Sequence, residues 1–158
     1  MGDADSIRLG EEMAIRRVAS EIDRAVDDKN WPAMRRYFAD RLTVDVGAVS
    51  GASSIEMTGD DFVSEVAALN PPEKRSYHVH HNVLIEIHGD SAKFTAHSHG
   101  WNHCDVLDPP VYEIWGSIDY RFLRQDGRWL VTHIAMAKWR EQGNPAVSRW
   151  RGPTFRPR

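Results

Sequence analysis

Between Ile7 and Val26 the apolar residues Met13, Ile15, Val18, Ala19, Ile22, Ala25 and Val26 recur at threes and fours, with Arg16, Arg17, Glu21 and Arg24 between them. That period predicts an amphipathic helix. Asp27-Asp28-Lys29-Asn30 interrupts it. Asn30 is placed to cap a short second helix with Pro32 in its first turn and Trp31, Met34 and Phe38 on its inner side. Leu42 to Val46 alternates as a strand, and Gly47 to Ser54 reads as a loop. Thr58 followed by Asp61 caps a third helix reaching Leu69, which Asn70-Pro71-Pro72 ends.

After that point the pattern changes to period two. Strands are predicted over Tyr77–Ile87, Ser91–Asn102, Val111–Arg124 and Arg128–Trp139, with hairpin signals at His88-Gly89-Asp90 and Gln125-Asp126-Gly127. Helices first and an antiparallel sheet afterwards is an α+β arrangement. The tail, residues 143–158, carries three prolines and four arginines and reads as an extended arm attached to a domain spanning residues 1–142.

Strict alternation along the first long strand sends His78, His80, Asn82 and Leu84 to one face and Val79, His81, Val83, Ile85 and Ile87 to the other. A histidine pair on one strand face suggests chemistry. On the third long strand Ile114, Ile118, Tyr120 and Phe122 lie on one side and Val111 and Trp115 on the other, so apolar positions occupy both faces. An exposed apolar sheet face predicts a homo-oligomer, a dimer or trimer.

Composition narrows the classes. A chain of 158 residues fits one domain, and a net charge of −3 gives no overall attraction for nucleic acid or acidic membranes. The single cysteine, Cys104, excludes an internal disulfide and makes a reduced, cytoplasmic setting the default expectation. No window approaches the roughly 20 apolar residues of a membrane span. A small-molecule ligand is the expected partner.

Three short helices followed by long strands closing on Asp126-Gly127-Arg128-Trp129 resemble the SnoaL-like branch of the nuclear transport factor two-like superfamily. The segment Ala25 to Trp31 is similar to the one that carries the catalytic aspartate in scytalone dehydratase and hexachlorocyclohexane dehydrochlorinase, and Tyr77-His78 with Asn82 is similar to the one that carries their catalytic histidine. The resemblance covers roughly Ala14 to Trp139 and implies a cone-shaped fold, with three N-terminal helices packed on a strongly curved antiparallel sheet around a pocket. It matches Asp27 and His78 to the catalytic pair. The chain departs from scytalone dehydratase at Val26, where that enzyme has a tyrosine, and at Trp115, which stands near the place of its second histidine.

The function this implies is a cofactor-independent lyase or isomerase, dehydratase-like, acting on a small cyclic or polyketide-like substrate. Asp27 would orient His78 as general base. Asn82 or Tyr120 would hydrogen-bond a developing oxyanion, His80 or His99 would return a proton to the leaving group, and Trp31 and Trp115 would help wall the pocket. The alternative is a non-catalytic ligand-binding or assembly module of the same fold. A third reading is a metal enzyme, invited by the pairs His78/His80 and His97/His99. Glu86 is one or two residues too far along for the cupin ligand pattern, and the helical first half does not suit an all-β barrel. No metal and no cofactor are expected.

Overall fold

A computed structural model describes residues 2–45 and 54–153. The predicted loop at Gly47 to Ser54 lies almost wholly outside them. The elements are α1 (Asp3–Asp27), α2 (Trp31–Arg35), β1 (Phe38–Asp45), β2 (Ile55–Thr58), α3 (Gly59–Leu69), β3 (Lys74–His88), β4 (Ser91–Cys104), β5 (Val111–Gln125), β6 (Arg128–Gly143) and α4 (Pro145–Arg149).

Local chemistry explains the boundaries. Asn30 Oδ1 accepts from the Ala33 N–H at the start of α2, and Thr58 Oγ1 accepts from the Asp61 N–H at the start of α3. Each satisfies a donor that has no partner inside its helix. At the β5–β6 turn, Asp126 and Gly127 both have positive φ, 50° and 73°, which the two-residue hairpin requires.

The six strands form one curved, unclosed sheet in the order β2-β1-β6-β5-β4-β3. The fold is the α+β cone that the sequence implies, with one correction. β1 runs parallel to β6, through pairs such as Val44 with Ile134, so the sheet is mixed and not wholly antiparallel. Alternation marks a strand and its faces but does not name its neighbour.

The core lies between α1 and the inner face of the sheet. Ile15, Ala19, Ile22 and Ala25 form the buried stripe of α1 and belong to one cluster with Phe94, Ala96, Ile118, Tyr120, Phe122, Val131 and Ile134. Glu11 fastens α1 to the sheet by accepting from the Arg124 guanidinium and the Trp129 indole N–H.

The tail also differs from expectation. Residues 145–149 form a helix and not an extended arm, and Val147 is fully buried in a second cluster with Cys104 and Tyr112. Asn144 caps the helix through the Ala146 N–H, with Pro145 at its first position. Proline there costs nothing because that N–H would lack a helical partner. Among the described residues, no helix is long and apolar enough to cross a membrane.

Candidate functional site

A cavity of about 530 Å³ opens between α1 and β3. The helix contributes Arg16, Ala19, Ser20, Asp23 and Asp27, which recur at the spacing of one helical face. The sheet contributes His78, His80, Val83 and Phe94.

Asp27, on the last turn of α1, accepts three hydrogen bonds from β3: from Ser76 Oγ at 2.8 Å, from the His78 backbone N–H at 2.9 Å and from His78 Nδ1 at 2.7 Å. Burial pushes its carboxyl pKa up. The hydrogen bonds and charge of His78, with the Ser76 hydroxyl, outweigh burial and hold it below the ordinary value. An ionised carboxylate only accepts, so the proton in this contact sits on Nδ1. Nε2 is then the basic nitrogen, and among the described residues it has no hydrogen-bonding partner.

Room for the ring comes from Gly100, which pairs with His78 across β3 and β4. A Cβ there would stand 3.3 Å from His78 Cδ2 and 3.2 Å from Ile114 Cγ2, both tight contacts. Gly100→Ala should therefore displace the imidazole by a few tenths of an ångström. The NMR signals of the His78 ring are expected to shift with little change in melting temperature, since the neighbours need give by only a few tenths of an ångström. Unchanged ring signals would show that the site accepts the methyl group without moving the imidazole.

His80 points into the same cavity, and its Nδ1 lies 3.0 Å from an Asp23 oxygen, although the approach is not aligned as a hydrogen bond. Asp23 did not emerge from the sequence. The signal was present, because it precedes Asp27 by four residues, the step that keeps a helical side chain on one face.

The other expected site residues lie elsewhere. Asn82 adopts φ 53° at a bulge between the pairs His81–His97 and Leu84–Thr95. One extra residue on β3 reverses the alternation. Val83, Ile85 and Ile87 therefore turn inward, whereas Asn82 is exposed and hydrogen-bonds His97 Nδ1 at 3.1 Å.

His99 and Trp115 are on the outer face of the sheet, because Phe94 and Ala96 on β4 and Ile118 and Tyr120 on β5 take the inward parity. Their rings stack at 4.9 Å, His99 Nε2 meets Glu113 at 2.9 Å, and Arg140 lies over Trp115. Tyr120 is inward but buried behind His80, 6.1 Å between ring centres. Burial and the nearby charge of Asp23 push its pKa well up. Trp31 packs against the main core and does not line the cavity. The two His-x-His pairs also fall on opposite faces, so they share no site.

The SnoaL-like domain model matches residues 8–135, most of the chain and both sides of this cavity. The chain belongs to the SnoaL-like domain family. Among solved structures, this SnoaL-like chain is similar to the Kfla4162 protein from Kribbella flavida, with 20% identity, a TM-score of 0.82 and coverage of 94% of this chain and 100% of the other. It is also similar to a protein described as a putative scytalone dehydratase from Novosphingobium aromaticivorans, with 14% identity, TM-score 0.76 and coverage of 87% and 90%. A type 2 hexachlorocyclohexane dehydrochlorinase shares 14% identity, TM-score 0.74 and coverage of 87% and 91%. No curated protein sequence matches the chain significantly. At these identities the SnoaL-like chain shares the fold of its neighbours, and its chemistry has to be argued from its own residues.

Proposed function

We propose that the chain is a cofactor-independent lyase or isomerase, dehydratase-like, that removes a proton beside a carbonyl of a small cyclic substrate. The observation that carries this is the Asp27–His78 contact at 2.7 Å on the wall of the cavity. Asp27 orients the ring and stabilises the imidazolium that forms, and His78 Nε2 takes the proton. Two of the similar structures, one described as a dehydratase and one as a dehydrochlorinase, support an elimination.

The test is hydrogen–deuterium exchange at the α-carbon of 3-hydroxycyclohexanone in heavy water, followed by NMR. Exchange should be enzyme-dependent and should disappear in His78→Gln. If the wild-type protein gives no exchange across a panel of small cyclic ketones, the cavity serves binding only.

The outer sheet face supports a homo-oligomer. It displays Trp139, 60% exposed, against His97, together with the Trp115–His99 stack. Burying large aromatics is the strongest driving force such a surface offers. Light scattering at micromolar concentration is expected to give a dimer or trimer, and a monomer mass would overturn that expectation.

A further inference from the structure

Asp23 and His80 form a second carboxylate–imidazole contact one step along the same wall from Asp27 and His78, close in distance but without the aligned hydrogen bond of the first pair. The aspartates are four residues apart on α1, roughly 6 Å of helix rise. The histidines are two apart on β3, roughly 6 to 7 Å of strand. Because the two steps match, each carboxylate faces its own imidazole, at 2.7 Å in one pair and 3.0 Å in the other. His80 is the more enclosed, its side chain 8% exposed against 28% for His78, with its ring edge-on to Phe94 and Tyr120.

We propose that Asp23 and His80 form a second proton-transfer pair, in which His80 is the general acid for an oxygen leaving group, so that the substrate is a β-hydroxy ketone and not a halide. This rests on the reading of His78 as the base. Two imidazoles at this spacing bracket a reacting unit of two or three atoms: a C–H bond under one ring and a C–O bond under the other. His78 Nε2 takes the α-proton, and that electron pair becomes the new C=C bond. The C–O bond breaks, its electron pair stays on oxygen, and His80 Nε2–H supplies the proton that makes water. His78 ends as imidazolium and His80 as neutral imidazole, and solvent restores both. A halide departs as a stable anion and needs no such donor, whereas hydroxide is a poor leaving group. Asp23 is the positioning residue, its carboxylate 3.0 Å from His80 Nδ1 on the side away from the donating nitrogen. The other charged or titratable side chains that line the cavity with His80 are Arg16, Asp23, Arg24, Asp27 and Asp28 on the helix side and Tyr77 and His78 on its own strand, and Tyr120 from β5 packs edge-on against its ring.

Exchange needs only the base, and elimination needs both groups, so one substrate separates them. With 3-hydroxycyclohexanone in heavy water, His80→Gln should keep α-exchange within about threefold and lose elimination by on the order of 10²-fold. With 3-acetoxycyclohexanone, whose acetate leaves without a proton, the same variant should lose less than about threefold. Asp23→Asn, a near-isosteric change, should likewise spare exchange and slow elimination of the hydroxy ketone while leaving elimination of the acetate within about threefold. Wild-type elimination of the hydroxy ketone by His80→Gln, or an equal loss on both leaving groups, would overturn the acid role while leaving the base intact. Absence of exchange in the wild-type protein would instead remove the base reading itself.

Discussion

Replacing His78 with alanine is expected to lower enzyme-dependent α-proton exchange by 10²- to 10⁴-fold, the usual range for loss of a positioned general base. Asp27→Asn should produce a comparable loss by another route. The asparagine can no longer accept as an anion, so it neither favours the Nδ1–H tautomer nor stabilises the imidazolium. The three hydrogen bonds that Asp27 now accepts also join α1 to β3. Its lowered carboxyl pKa makes that tie pH-dependent: the stability it contributes is fully present above the ordinary value near 3.8 and is lost as the pH falls through the lower folded value. Both variants should remain folded at neutral pH, because neither side chain belongs to the buried cluster around Ile15, Phe94 and Phe122. Thermal unfolding and NMR exchange measured on the same samples check this. Full exchange in His78→Ala would end the base assignment.

The Asp27–His78 pair was legible in the sequence through its resemblance to SnoaL-like proteins, and periodicity explains why both side chains face inward. Asp27 ends a regular helix and His78 sits on an unbroken stretch of β3, so helical phase and strand alternation place each on its inner face. Alternation fails where the backbone departs from the ideal period. The bulge at Asn82 adds one residue and inverts every later position on β3, and a non-glycine residue with positive φ leaves no strong mark in a sequence. His99 and Trp115 are a different case. Their parity was available from Ala92, Phe94 and Ala96 on one strand and Ile118, Tyr120 and Phe122 on the next, all inward, which places odd-numbered residues outside. The parallel pairing of β1 with β6 had no local signal, because it depends on how distant segments are laid side by side.

The stability of the wild-type protein is expected to rise by about 2 kcal/mol between pH 7 and about pH 9.5, and Lys74→Met should make that interval nearly flat. Lys74 is 4% exposed, and its Nζ donates to the carbonyls of Leu69 at 2.9 Å and Ser148 at 3.5 Å. It thus links the end of α3 to α4, the helix that replaces the expected arm. Burial lowers its pKa from 10.5 to about 8, with Cys104 opposing and Lys29 adding slightly. Below pH 8 the amine is protonated in both folded and unfolded chains, and folding bears the full cost of enclosing the charge. As the pH rises, the folded chain releases its proton first, so the unfolded state binds more protons and stability increases until the unfolded amine also titrates. The interval stops short of pH 10 because Tyr112 and Tyr120, both raised in the folded state, begin to favour the unfolded phenolates there. In Lys74→Met the neutral side chain relieves the buried charge but leaves the Leu69 carbonyl without its donor. Those terms oppose each other at pH 7, so the slope and not the level carries the result. Urea unfolding at half-unit pH steps measures it. A flat wild-type curve, or the same slope in Lys74→Met, would mean that the amine is not held as the Leu69 and Ser148 contacts place it, and the docking of α4 across it would be called into question with it.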